Sequence, residues 1–304
     1  MNSFFPILIV SIALFYLTFN IDIDLLLESL FMYSFDAIIY VVIITIVSFF
    51  ILSYRWQILS LSNISFYNSY KVNLLAMAIN QILPIRAGDL YKPTYLRKNY
   101  SIETHKSISS IVLERSLDLS IISFISLIVL FGSIFLEKTY FLFSMIIFLF
   151  IGIFIFIKYI KDIIKVLKKI KNKRIKKALL QIIINIYKTS YEVLIMGIIS
   201  TILLYMFYVL SLYGFIYFFT NFDLSFFEVM IVFIISALGM SLPTTPAGIG
   251  VYEASIVFIL GYFGINNEEA LSFAIVYHLL QIITILFLWL FFYSGGNLCL
   301  KKEV

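Results

Sequence analysis

Cysteine is almost missing from this chain: Cys299 stands alone in 304 residues, and the histidines are two, His105 and His278. A disulfide framework is excluded, and so is a zinc cluster of cysteine and histidine. Charge is scarce as well, at 13% of residues against about a quarter in soluble domains. No phosphate-binding glycine loop, nucleophile elbow or zinc-helix motif occurs, so no catalytic residue, cofactor or metal is assigned. What fills the chain is apolar: 62% of residues are hydrophobic, and mean hydropathy is +1.05. Repeated apolar runs of about 20 residues then define a single integral membrane domain over residues 1–304, with no room for a soluble catalytic module.

Five prolines and twelve glycines leave few punctuation points, so a cluster of them carries weight. The run 229–260 is broken at its centre by Leu242-Pro243-Thr244-Thr245-Pro246-Ala247-Gly248-Ile249-Gly250. Each apolar arm is about 11 to 14 residues, roughly 20 Å as helix, short of a hydrocarbon core of about 30 Å. Proline removes a backbone donor, and freed backbone groups at membrane depth persist only inside protein or beside a wet cavity. The stretch reads as a re-entrant helix–break–helix hairpin or as one kinked spanning helix. Residues 72–91 carry a weaker copy, with Leu83-Pro84 and Ala87-Gly88 before Tyr91. Paired interruptions of this kind point to an inverted-repeat transporter and to its binding site. The fold class expected is an all-α polytopic membrane protein with about six full transmembrane helices plus two re-entrant broken hairpins in an inverted repeat.

Spans are expected near 4–19, 37–54, 107–131, 140–157, 193–219 and 270–292, the first of them not a removable signal peptide. Arg55-Trp56 reads as a basic and aromatic interface pair. Loops at 22–36 and 223–228 are acidic, whereas 86–106, 158–177 and the tail at Lys301-Lys302 are basic. The basic side is cytoplasmic, which puts both termini inside, in a cell membrane. Segment 158–177, with Lys158, Lys161, Lys165 and Lys168 at helical spacing, reads as an amphipathic orientation-setting helix; no nucleic-acid role is assigned.

Glu114, Arg115 and Asp118 fall inside an expected span. Such groups face a cavity or pair with one another; Glu114 and Asp118, four apart, share one face. They form either part of a site or an ion pair clamping two helices. The hairpins add Arg86, Asp89 and Glu253, with Pro84, Gly88, Pro243, Pro246, Gly248 and Gly250 as hinge and close-approach positions. Half-helix N-termini and arginine forks suit an anionic headgroup, of a phospholipid or a polyprenyl phosphate. Asp89 and Glu253 would orient those arginines or exchange protons. His278, one turn from Gln281, is a packing residue or a proton relay. Asp22-Ile23-Asp24 matches a metal-binding Asp-x-Asp only weakly.

Three segments carry a resemblance: Asn80-Gln81-Ile82-Leu83-Pro84-Ile85-Arg86-Ala87-Gly88-Asp89, Leu113-Glu114-Arg115-Ser116-Leu117-Asp118, and Leu242-Pro243 through Glu253. In that order they resemble the lysylphosphatidylglycerol synthetase transmembrane (flippase) family, which includes the membrane half of MprF, YbhN-like and archaeal AglD-like proteins. The resemblance implies a polytopic helical domain with re-entrant hairpins that handles lipid. It places Arg86, Asp89, Glu114, Arg115, Asp118, Pro243, Pro246, Gly248, Gly250 and Glu253 at motif positions. The soluble aminoacyl-transferase half of MprF has no counterpart here, and Tyr277-His278 stands where relatives often have arginine. Lipid translocation is the function expected; the alternative is a membrane glycosyl- or headgroup-transferase on a lipid-phosphate carrier.

Overall fold

The computed structural model describes residues 21–133, 173–241 and 245–299, whose regular elements are all helices, with no strand among them. The expected spans at 4–19 and 140–157, the basic stretch 158–172 and Leu242-Pro243-Thr244 lie outside the described residues. The helices are α1 Ile23–Phe31, α2 Phe35–Leu59, α3 Phe66–Ile82, α4 Ala87–Tyr100, α5 Thr104–Ser133, α6 Lys173–Tyr187, α7 Tyr191–Phe219, α8 Phe226–Ser241, α9 Val251–Tyr262 and α10 Asn267–Cys299; a 3₁₀ turn covers Pro246–Gly248. Three of them, α2, α7 and α10 up to Tyr293, are long and apolar enough to cross a membrane. Several of their hydroxyls are satisfied without leaving the helix. Thr45 and Ser48, for example, donate to the carbonyls of Val41 and Ile44 at 2.7 and 2.6 Å, as hydroxyls in apolar helices do.

One expectation is corrected at the start of the chain. The acidic segment 22–36 is not simply a loop, because α1 occupies most of it. Asp22 caps that helix, its carboxylate accepting from the N–H groups of Asp24 and Leu25 at 2.9 and 3.3 Å. A carboxylate at an N-terminus meets both the orphan donors and the positive end of the helix dipole. The Asp-x-Asp pair is thus built into a helix cap.

The described chain divides into two compact units. The first draws on the residues up to Tyr54, on Phe66–Lys92 and on those from Met206 onward; the second on Arg55–Ser65 and the described part of Pro93–Tyr205. In the first unit α10 packs against α1, α3 and α9, and α8 lies against α9. One core joins Phe49, Tyr70, Leu74 and Ile285. Another centres on the fully buried ring of Phe215, with Tyr33, Tyr40, Phe273 and Tyr277 within 5.1–6.2 Å of it, centroid to centroid. Meanwhile α2 turns Ile43, Val47 and Phe50 outward along one stripe, the pattern of a helix with apolar surroundings on both sides. In the second unit α5 packs on α6. Asn185 donates to the Ser109 hydroxyl at 3.3 Å there, and that hydroxyl in turn reaches the carbonyls of His105 and Ile182.

Both interrupted stretches are interrupted in the structure. The first is α3 and α4, broken over residues 83–86; in the second, the described residues 245–250 lie outside both α8 and α9. The first pair extends beyond the expected 72–91, reaching from Phe66 to Tyr100.

Candidate functional site

The first break is made by backbone that only a forced turn adopts. Ile85 and Arg86 both have positive φ, 64° and 51°, a left-handed conformation costing a non-glycine residue about 1–2 kcal/mol. Asn80 holds the break closed from the preceding helix. Its Oδ1 accepts from Gly88 N at 2.8 Å and its Nδ2 donates to Asp89 Oδ1 at 3.3 Å. The motif that holds Asn80 assigned it no role in the sequence; an amide seven residues ahead of a helix start was the available signal. Gly88 itself is needed for packing. A Cβ there would collide with the Ala76 carbonyl oxygen, so the close approach at this glycine is to the chain's own α3.

The second break has the same backbone character with different chemistry. Ala247, Gly248 and Gly250 have φ of 56°, 81° and 88°. Thr245 donates its hydroxyl to the Ile249 carbonyl at 2.6 Å. Glu253 closes the start of α9: its Oε2 accepts from Gly250 N at 2.6 Å, and its Oε1 meets His278 Nδ1 at 2.8 Å. Both residues are buried, and the Tyr252 ring lies 4.4 Å from the imidazole. The N-terminus of α9 is therefore already covered by a carboxylate of its own first turn.

The two breaks touch. Helix α3 packs against the Pro246–Gly248 turn, and Arg86 Nη2 donates to the Met240 carbonyl at 2.9 Å. Met240 is the penultimate residue of α8, so its carbonyl is among the groups a helix end leaves unsatisfied, and a guanidinium suits the negative end of that dipole. Beside this contact lies a cavity of about 230 Å³ whose wall includes Gln81, Met240, Tyr252, Tyr277, His278 and Gln281. His278 Nε2 is buried there without a hydrogen-bond partner.

Of the seven side chains expected to bind substrate, the structure gathers Arg86, Asp89, Glu253 and His278 into the first unit around the breaks. Pro84, Gly88, Pro246, Gly248 and Gly250 border the same breaks; Pro243 lies outside the described residues. Glu114, Arg115 and Asp118 belong to the second unit. There they form one network with Arg55, whose Nη2 and Nη1 reach Glu114 Oε1 at 2.7 Å and Asp118 Oδ1 at 2.5 Å, while Arg115 meets Asp118 Oδ2 at 3.1 Å. Two guanidinium groups face two carboxylates, so the cluster is neutral as a whole.

This corrects the reading of Arg55-Trp56 as an interface pair. Arg55 is 2% exposed and Trp56 1%, both inside the protein. The sequence carried half of the signal: two carboxylates on one helix face need a cation nearby, but that Arg55, the one cation in α2, is that cation shows only in the structure. Lys92 is a further buried cation that sequence reasoning passed over; it donates to Asn73 Oδ1 at 2.6 Å.

Residues 3–288 match the family model described as the lysylphosphatidylglycerol synthase TM region. No curated protein matches the chain.

Proposed function

Since the chain belongs to the lysylphosphatidylglycerol synthase transmembrane family, a membrane group linked to lipid handling, we propose that it is a lipid translocase. In this reading its substrate is a phospholipid or a lipid carried on polyprenyl phosphate. The α3–α4 and α8–α9 pairs are re-entrant hairpins that enter from opposite leaflets as an inverted repeat. Together with about six full crossings they set both termini on the cytoplasmic side of a cell membrane. The supporting observation is the junction of the two breaks, where Arg86 reaches the Met240 carbonyl beside a partly open cavity. Polar surface of that kind inside an apolar bundle is what a headgroup needs in order to leave the interface.

Roles then divide by place. Arg86 supplies a planar, permanently charged fork for an anionic phosphate, and Asp89 and Asn80 hold the turn that presents it. Glu253 and His278 fix the start of α9. Glu114, Arg115 and Asp118, neutralised together with Arg55, hold the second unit together rather than receive substrate.

The test is transfer of a headgroup-labelled phospholipid between leaflets of vesicles containing the purified protein. Arg86→Ala and Glu253→Ala are each expected to slow transfer by about tenfold or more, the worth of a charged hydrogen bond. Wild-type rates in both folded variants would overturn the proposal. Formation of a new lipid product in detergent, where there is no second leaflet, would replace it with a headgroup transferase.

A further inference from the structure

His278 has two ring nitrogens, and the protein uses one. Nδ1 lies 2.8 Å from Glu253 Oε1, and the other oxygen of that carboxylate accepts the Gly250 N–H at 2.6 Å. A carboxylate accepting at both oxygens makes Nδ1 the donor, so the neutral imidazole carries its proton there and keeps a lone pair on Nε2. Nε2 is buried without a partner, on a residue 3% exposed that lines the cavity. Buried acceptors are normally met by a donor. The residue that carries this one lines the cavity.

The rest of the wall says which ligand. Ser48 of α2, Gln81 of α3, Tyr208 of α7, Ser236 of α8 and Gln281 of α10 bring hydroxyls and amides to the cavity. No Lys, Arg, Asp or Glu lines it among the described residues. A phosphate inside would be an anion stripped of water with no cation on the wall. On a wall that is otherwise mostly apolar, an uncharged group bearing a few hydroxyls instead meets amide and phenol side chains that donate or accept. The serine hydroxyls, already donated to Ile44 and Phe233, can accept, and the rings of Tyr252 and Tyr277 serve its C–H faces. The volume, about 230 Å³, corresponds to about eight water molecules of liquid. One hydrogen bond away, through Met240, stands Arg86.

We propose that this cavity binds the uncharged, hydroxyl-rich part of a lipid headgroup, with His278 Nε2 accepting a hydrogen from one of its hydroxyls. The proposal deepens the lipid-handling reading and rests on it for the presence of acyl tails. It makes headgroup hydroxyls, not charge alone, the determinant of which lipid is taken.

The experiment is native mass spectrometry of the whole chain released from phosphatidylcholine nanodiscs doped with one probe at a time. The probes are monoglucosyl diacylglycerol (hydroxyls without charge), phosphatidylpropanol (charge without headgroup hydroxyls) and methyl glucoside (hydroxyls without tails). The glucolipid is expected to be retained over both others. H278F keeps a ring without its nitrogens, and Q281L removes an amide from the same helix. Each is expected to lower glucolipid retention about tenfold, the worth of a hydrogen bond to a buried polar group. Ser236→Ala, contributed to the wall by α8, provides a milder variant should H278F fold poorly; its retention is expected to fall in the same direction. Equal retention in wild type and all three variants, or a preference for phosphatidylpropanol, would overturn the proposal. Methyl glucoside binding as tightly as the glucolipid would overturn the lipid assignment in favour of a free polyol. Leaflet transfer that persists while headgroup hydroxyls make no difference would sink this inference alone; hydroxyl-dependent binding without any transfer would sink the translocase reading alone.

Discussion

Arg55 shows how one side chain can hold a unit together. Its guanidinium serves two carboxylates at once, Glu114 and Asp118, in a setting with almost no water. Removing one member of a buried ionic cluster leaves uncompensated charge, which costs about 3–5 kcal/mol. Arg55→Met is therefore expected to lower the unfolding midpoint sharply in a detergent thermal-shift assay. Replacing Arg55, Glu114, Arg115 and Asp118 together by apolar residues of similar size should recover most of that loss. A single variant as stable as wild type would show the cluster to be dispensable. This pairing was out of reach of a linear reading, because α2 and α5 contribute residues 59 positions apart. The acids could be recognised as needing a partner, but nothing local named it.

Among the elements, the breaks were legible and their closures were not. Leu-Pro followed by Ala-Gly in apolar runs located both interruptions, because proline and glycine act on their own backbone. What closes each break is a side chain from elsewhere: Asn80 for the first, Glu253 with His278 for the second. The helix α1 was missed for a related reason. Acidic residues at 22–36 looked like solvated loop, whereas Asp22 serves as a cap. Ala247 yields an element-scale prediction. It holds φ 56° without the freedom of glycine, so Ala247→Gly should relieve about 1 kcal/mol of backbone strain. A raised midpoint with leaflet transfer unchanged is the expected result. A lowered midpoint would mean that the buried Ala247 methyl contributes more packing than its backbone loses.

For the whole molecule, family membership and described residues whose regular elements are all helices, three of them long and apolar enough to span, make this a multi-pass membrane protein. Its proposed orientation is open to a direct check. In a Cys299→Ser background, single cysteines at the exposed Asn99 and Asn221 should label from opposite faces of sealed vesicles, Asn99→Cys from the cytoplasmic face. Labelling of both from one face would refute the inverted arrangement. The positive-inside bias supports that orientation, since it acts on loops independently of how the helices pack.

The bond from Arg86 to the end of α8 ties the corner of one broken helix to the tip of the other. Neither corner can shift alone while it stands, so any rearrangement around the cavity must either carry both corners as one lever or first unclasp a guanidinium in greasy surroundings. In the proposed translocase, the phosphate of a lipid substrate would be the natural key for such a clasp, because it offers the arginine a stronger acceptor than a carbonyl. Cargo and motion would then be linked through a single side chain, and an empty protein would stay shut.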